Sequence, residues 1–288
     1  MSSIVFLWDR IPSIVRAVLT GLLVAAMGTT PWALLVSLNL KYGSVLPWTV
    51  PVMAVYLWFY WRYLKGAWWP KSTTEIRKTN CRANPLSDKA WGAALLAGIS
   101  GLVFIVLFQA VLSRMIRLPT QPIQELSRIP ALTVFFFVIM SGVVAGVAEE
   151  VAFRGYMQRP IEKKHGPLMA ILVVGVVFGF AHFTHPEVSL ILIPYYLVVS
   201  AVYGMLAYFT NSIVPSLVLH AGGNIFSSLG IFMTGNTETQ TLARPVPLIW
   251  ETGTDSKFWL TCGAALIIGA FTVWAYNMLA TVVRKIQL

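Results

Sequence analysis

Long apolar segments, repeated along the whole chain, are the feature that most constrains its fold. Each is close to the roughly 20 residues that a helix needs to cross a bilayer. The segments are 12–40, 46–64, 90–113, 131–158, 168–185, 190–209, 213–233 and 257–283. Only 11% of the residues are charged, against about 25% in an average soluble domain. The sequence therefore predicts an all-α fold, a polytopic membrane bundle of about eight transmembrane helices.

The apolar segments leave little chain for a soluble module, so we predict one membrane domain over residues 1–288. The first segment is longer than the apolar region of a secretory signal, and we interpret it as a retained first span. The fifth, sixth and seventh segments are joined by very short links and should pack as adjacent antiparallel helices. The polar, basic segment 65–89 is expected near the membrane interface.

The basic residues indicate the orientation of the bundle. With the N-terminus inside, 15 of the 21 Lys and Arg residues fall in inner segments and six in outer segments. This asymmetry predicts that both termini are cytoplasmic. The net charge of +10 is explained by these loops, so nucleic acid is not expected as a partner. The compact size and short loops favour a bacterial cytoplasmic membrane.

Two adjacent carboxylates, Glu149 and Glu150, directly follow an apolar run. A charge near the bilayer centre costs roughly 2.5–3.5 kcal/mol on insertion scales, so function is the default hypothesis. Residues four apart share a helix face, which predicts that Glu150 pairs with Arg154. Glu149 is rotated by about 100° from Glu150 and is left to face a cavity. The alternative is that both carboxylates only pair with basic groups for stability.

Two further helices carry polar residues at the same four-residue spacing. His220 and Asn224 can donate hydrogen bonds from one helix face, and Phe178 and His182 repeat the spacing on another span. From the rise per residue, Glu149 and both histidines fall in one band near the membrane midplane. The sequence therefore predicts an internal polar cavity between three helices.

Glycines interrupt several spans, and the residues between His220 and Asn224 are Ala221, Gly222 and Gly223. Small residues allow helices to approach closely in a membrane, so we expect another backbone to lie against this face. The two cysteines, Cys81 and Cys262, lie in a basic loop and in a late span. No disulfide and no cysteine metal motif is expected from them.

Three motifs together resemble a known family. E-E-V-A-F-R at Glu149–Arg154, F-G-F-A-H at Phe178–His182 and H-A-G-G-N at His220–Asn224 are similar to the pattern of the CPBP family of intramembrane glutamic endopeptidases. That family includes the CAAX prenyl endopeptidases and bacterial proteins linked to bacteriocin processing or self-immunity. The resemblance covers residues 131–233, which we take as the catalytic core.

The resemblance implies an eight-helix bundle that cleaves near the C-terminus of a membrane-associated or lipidated protein or peptide. It implies that Glu149 activates water with help from His182, and that His220 and Asn224 stabilise the oxyanion. Glu150, Arg154 and Phe178 would support them. Peptide hydrolysis does need a base and donors for the developing negative charge, so the chemistry is consistent with these residue types.

Two alternatives remain open at this point. Glu149, His182 and His220 could form a zinc site of two imidazoles and one carboxylate. We favour a mechanism without a cofactor, because Asn224 is a poor zinc ligand but a good oxyanion donor. The second alternative is a transporter or a non-catalytic scaffold, since membrane Glu and His residues also form proton relays. No internal repeat is visible, which counts against an inverted-repeat transporter.

Overall fold

The computed structural model describes residues 8, 10–43, 45–117, 129–182, 190–233 and 246–287. All regular structure within these ranges is helical. The helices are α1 Ser13–Tyr42, α2 Thr49–Leu64, α3 Thr74–Cys81, α4 Asp88–Met115, α5 Ala131–Glu149, α6 Gln158–His165, α7 Pro167–Ala181, α8 Ile193–Thr210, α9 Val214–Met233, α10 Ile249–Thr252 and α11 Ser256–Gln287. Short 3₁₀ turns precede α3 and α8, and the predicted all-α fold is confirmed.

Five helical segments are long and apolar enough to cross a membrane. They are Ser13–Tyr42, Asp88–Met115, Ala131–His165, Leu190–Thr210 and Ser256–Ile286. The other three predicted spans coincide with the helices α2, α7 and α9. The polytopic membrane bundle is thereby confirmed, whereas the number of helices that cross the membrane stays a prediction. Residues 183–185 of the fifth predicted segment lie outside the described residues.

The fourth predicted segment differs from the structure in length and in winding. It was expected to end at Gln158, but the helical rod continues to His165. A π-helix, Glu150–Met157, joins α5 to α6. The segment 65–89, expected at the interface, contains the short helix α3.

Close helix contacts explain the position of α9 against α5. A β-carbon on Gly146 would lie 2.6 Å from the β-carbon of Ala221 and 2.9 Å from its backbone nitrogen. One turn earlier, Gly142 lies against Ile225 in the same way. The expected close approach therefore occurs at Ala221. Gly222 instead has no atom within 4 Å of an added β-carbon.

The core has two parts, and the predicted site lies where they meet. The first part joins α1, α2, α5, the π-helix and α7. The second joins α4, α8, α9 and α11. Ala148 and Val151, which flank the two glutamates, belong to the first part, while Leu219, which precedes His220, belongs to the second.

Contacts between helix ends agree with the predicted alternation of the spans. Thr133 at the start of α5 donates a hydrogen bond to the carbonyl of Val45, before α2. At the other end of the rod, Ser13 lies 2.9 Å from His165, between Oγ and Nε2. Each contact joins two helix ends that the predicted alternation places on the same side of the membrane. Which group faces the cytoplasm stays a prediction.

Candidate active site

The two glutamates lie at the junction of α5 and the π-helix and have different surroundings. The Glu149 side chain is 18% exposed, whereas the Glu150 side chain is completely buried. A π-helix is rare and occurs often at functional sites. The predicted spans have regular α-helical winding throughout, so the π-helix was not predicted. All eight residues of the π-helix are buried.

Glu150 forms the ion pair that the four-residue spacing predicts. Its Oε1 lies 3.0 Å from Nη1 of Arg154, and both side chains are fully buried. The same oxygen lies 2.8 Å from Nδ1 of His220 on α9. The spacing of residues in the sequence predicted only Arg154 as a partner of Glu150, so this second contact was missed.

The His220 ring bridges the two glutamates. An ionised carboxylate only accepts hydrogen bonds, so Nδ1 of His220 carries the proton that is donated to Glu150. The other ring nitrogen, Nε2, lies 3.8 Å from Oε2 of Glu149. The buried carboxylate thus orients the imidazole, and its opposite nitrogen is directed toward the more accessible carboxylate.

His182 follows the end of α7 and is held by its own helix. Its Nδ1 lies 2.7 Å from the carbonyl oxygen of Phe178, and a carbonyl accepts, so Nδ1 carries the proton. The ring also packs on Phe178 and Tyr196, with centroids 4.5 Å and 4.8 Å away. In the neutral ring, Nε2 is therefore the unprotonated nitrogen.

The structure brings some predicted site residues into direct contact and others only near them. Glu149, Glu150, Arg154 and His220 form one contiguous cluster. His182 joins this cluster through Phe178, whose ring lies 5.1 Å from the Arg154 guanidinium carbon. Asn224 lies one turn beyond His220 and is partly exposed. The expected polar cavity between these helices stays a prediction.

A buried ionic network supports the π-helix from the side of α3 and α6. Arg82, which follows α3, donates to both carboxylate oxygens of Glu162, at 3.2 and 3.0 Å, and to the backbone carbonyl of Arg154 at 2.8 Å. Burial lowers the pKa of the Arg82 guanidinium to about 10, although Glu162 opposes this shift. Gln158 links Glu162 to the carbonyl of Gly204 on α8.

No sequence signal identified Arg82, because its partner lies 80 residues away in the chain. The sequence analysis counted it as one more basic loop residue. Its neighbour Cys81 is also fully buried. Burial raises the pKa of the Cys81 thiol to about 12. The segment after α3 is therefore part of the packed interior, close to the end of the proposed site.

The zinc alternative can be compared with the observed geometry. Among the described residues, no three His, Cys, Asp or Glu side chains form a group that could hold a metal ion. Glu149, His182 and His220 are all described, so as arranged they do not fit a zinc site with three protein ligands.

Comparison with known proteins gives one match. Residues 131–226 match a family described as type II CAAX prenyl endopeptidase Rce1-like. No curated protein and no solved structure matches the chain. The matched range lies within the predicted core 131–233 and contains every predicted site residue, from Glu149 to Asn224. The match confirms the resemblance drawn from the three motifs.

Proposed function

Residues 131–226 belong to the Rce1-like family of type II CAAX prenyl endopeptidases, and from this premise we propose a glutamate-dependent mechanism for the chain. The family supports an intramembrane protease in general terms. Our proposal is that Glu149 activates the hydrolytic water. The observation that carries it is the His220 ring, which contacts the buried Glu150 at one nitrogen and faces the accessible Glu149 with the other.

Glu149 has the properties that a general base requires. It is partly exposed, so water can reach its carboxylate. It removes a proton from water, the water oxygen forms a bond to the peptide carbonyl carbon, and a tetrahedral intermediate results. Glu149 then returns this proton to the leaving amine as the carbon–nitrogen bond breaks. The products are a carboxylic acid and an amine, and no covalent enzyme intermediate is formed.

The oxyanion of that intermediate needs hydrogen-bond donors. We assign this role to the side-chain amide of Asn224 and to His220, whose Nε2 donates when the ring carries a proton on both nitrogens. The two side chains share one face of α9. Within the described part of the chain the Asn224 amide makes no hydrogen bond to protein, so it can bind a ligand without breaking a contact. Glu150 and Arg154 hold His220, and His182 helps to orient the water.

The substrate that we propose is a membrane-associated or lipidated protein or peptide, cleaved near its C-terminus. A site between apolar helices is reached most readily by a chain that already lies in the bilayer. We also propose that both termini are cytoplasmic and that the protein resides in a bacterial cytoplasmic membrane. The lipid bilayer is the solvent for the fold, and nucleic acid has no part in the function.

The experiment that tests the proposal uses purified protein in liposomes with peptides that end in Cys-a-a-X, with and without a prenyl group. Glu149→Gln keeps the size of the side chain and removes the base, so we expect cleavage to fall by about 10²–10⁴-fold. The control is Glu75→Gln, which changes an exposed carboxylate on α3. Cleavage by Glu149→Gln within tenfold of wild type would exclude Glu149 as the base.

The same preparation separates the alternatives. Activity that survives exhaustive chelation, in protein shown by elemental analysis to hold no zinc, is the result expected from a metal-free mechanism. Activity lost on chelation and restored by zinc would replace it with the metalloprotease. A scaffold or transporter would show no cleavage by wild-type protein, with any peptide tested, and no effect of Glu149→Gln on its folded state.

A further inference from the structure

Tyr203 on α8 contacts the proposed site but lies in none of the sequence motifs. Its side chain is buried, with 5% of the residue surface exposed. The ring lies parallel to the His220 imidazole, with centroids 4.9 Å apart and an interplanar angle of 20°. The same ring lies 5.2 Å from the guanidinium carbon of Arg154. Tyr203 thus contacts Arg154 and His220, which both contact Glu150.

These contacts belong to a longer series of stacked groups, which we call the ring series. Arg154 also contacts the ring of Phe178, and Phe178 contacts His182. The series runs in order through His182, Phe178, Arg154, Tyr203 and His220. It joins α7, the π-helix, α8 and α9, and it places one of the two site histidines at each end.

The surroundings of Arg154 explain why aromatic rings are needed there. Its guanidinium is fully buried, and its nitrogens make no hydrogen bond within the described residues. The ion pair with Glu150 supplies the opposite charge, but a buried charge also requires other favourable contacts. A desolvated cation over an aromatic face is attracted by the negative face of the ring. Phe178 and Tyr203 provide two such faces.

We propose that Tyr203 is a positioning residue, whose ring holds the imidazole of His220 in the orientation that directs Nδ1 to Glu150 and Nε2 to Glu149. This role deepens the proposed function and rests on it. The hydrogen bond to Glu150 fixes Nδ1, but the ring, which is attached at Cβ, could still rotate partly about the line from Cβ to that nitrogen. The parallel face of Tyr203 removes this rotation.

The aromatic ring, rather than the hydroxyl, carries this role. No hydrogen bond from the Tyr203 hydroxyl occurs within the described part of the chain. Tyr203→Leu therefore removes the stacking face, whereas Tyr203→Phe keeps it. A matched control is Phe258→Leu on α11, since Phe258 is similarly buried and its ring lies beside Arg114 rather than against the ring series.

The first readout is spectroscopic and needs no enzymatic activity. The chain has four histidines, so ¹⁵N-histidine NMR of the protein in detergent resolves few signals, and a His220→Gln variant assigns one. We expect wild type to show His220 in one ring orientation, with a proton on Nδ1. Tyr203→Leu should show exchange between forms, while Tyr203→Phe and Phe258→Leu should match wild type. An unchanged His220 signal in folded Tyr203→Leu would overturn the proposal.

The second readout is kinetic. A misplacement of about 1 Å can cost about 10²-fold in rate, so Tyr203→Leu should lower kcat by about tenfold to a hundredfold. KM should change little, because the interaction acts on the transition state. Tyr203→Phe should restore most of the lost kcat. An equal loss in Phe258→Leu would contradict a positioning role.

The two readouts separate the possible failures. Altered His220 signals in Tyr203→Leu, with no cleavage by wild-type protein on any peptide, would leave the positioning role intact and reject the proposed function. Normal cleavage by wild type with unaltered His220 signals and unaltered kcat in Tyr203→Leu would reject the positioning role alone. If Tyr203→Leu fails to fold, Tyr203→Ile and Tyr203→Met offer the same loss of the ring with different packing.

Discussion

The most quantitative prediction concerns Arg82, which inserts into the protein interior from the segment after α3. Its residue surface is only 1% exposed. It makes two hydrogen bonds to Glu162 and a third to the carbonyl of Arg154. Arg82→Met keeps much of the aliphatic stem and removes the charge, so the loss measured is that of the buried ionic contacts.

The magnitude follows from what the substitution leaves behind. Glu162 would keep only Arg159, which is partly exposed, and Gln158, and the carbonyl of Arg154 would lose a charged donor. Removal of one partner from a buried ion pair typically costs about 3–5 kcal/mol. Total stabilities are about 5–15 kcal/mol. We therefore expect Arg82→Met to remove a substantial part of the stability.

A matched control lies one turn away on the same segment. Lys78 pairs with Glu75 at 3.1 Å, but the two side chains are 56% and 85% exposed. Lys78→Met should therefore cost less than about 0.5 kcal/mol. The free energy of unfolding can be measured by reversible SDS titration in mixed micelles, followed by tryptophan fluorescence. Adding a Glu162→Met substitution to Arg82→Met should recover part of the loss, because it removes the unpaired carboxylate.

Two results would refute this reasoning. If Arg82→Met and Lys78→Met lowered the unfolding free energy by amounts within about 1 kcal/mol of each other, burial would not be what decides the strength of these pairs. If the double variant were less stable than Arg82→Met by the full cost of a second buried pair, the effect of Arg82 would not act through Glu162.

Three further predictions concern packing, reactivity and a turn. Gly146→Ala should push α9 away from α5 and lower the rate of cleavage by about 10-fold or more. Gly263→Ala on α11, where no atom lies within 4 Å of the added β-carbon, should leave the rate unchanged. Equal rates in the two variants would contradict this prediction. Burial raises the pKa of the Cys81 thiol from 9.0 to about 12. In Cys262→Ala protein at pH 8, Cys81 should therefore be alkylated about 10³-fold more slowly in the folded state than in SDS-unfolded protein. Rapid labelling of the folded protein in a mass-spectrometric time course would refute the burial of Cys81. Asn39 is buried. Its side chain donates hydrogen bonds to the carbonyls of residues 43 and 46 and accepts them from the backbone N–H and the hydroxyl of Thr49. Asn39→Ala should therefore lower the free energy of unfolding in the SDS titration by at least about 2 kcal/mol, and a smaller loss would show that water replaces these hydrogen bonds.

The parts of this structure that sequence could predict are those that depend on near neighbours in the chain. Apolar segments predicted the helices, and the four-residue spacing predicted the ion pair between Glu150 and Arg154. The contact of Glu150 with His220 spans 70 residues, and no local pattern encodes it. Tyr203 was missed for the same reason, since an aromatic residue on an apolar span is indistinguishable from ordinary core.

The π-helix was beyond prediction for a different physical reason. Its residues are compatible with an α-helix, and the wider winding is selected by packing from several sides. Gly155 lies close to the main chain of residues 80 and 81, and Arg82 donates a hydrogen bond to the backbone carbonyl of Arg154. These contacts come from a segment that is distant in sequence, so the local residues alone do not determine the winding.

The π-helix has a consequence for how one rod can face two different environments. Its i to i+5 bonding accommodates an additional residue compared with an α-helix, so the angular phase of α6 is shifted relative to that of α5. The upstream half can then turn its carboxylates toward α9, while the downstream half turns Gln158 and Glu162 inward toward Arg82 and α8. A regular α-helix with the same sequence could direct either the glutamates toward α9 or Gln158 and Glu162 toward Arg82 and α8, but not both.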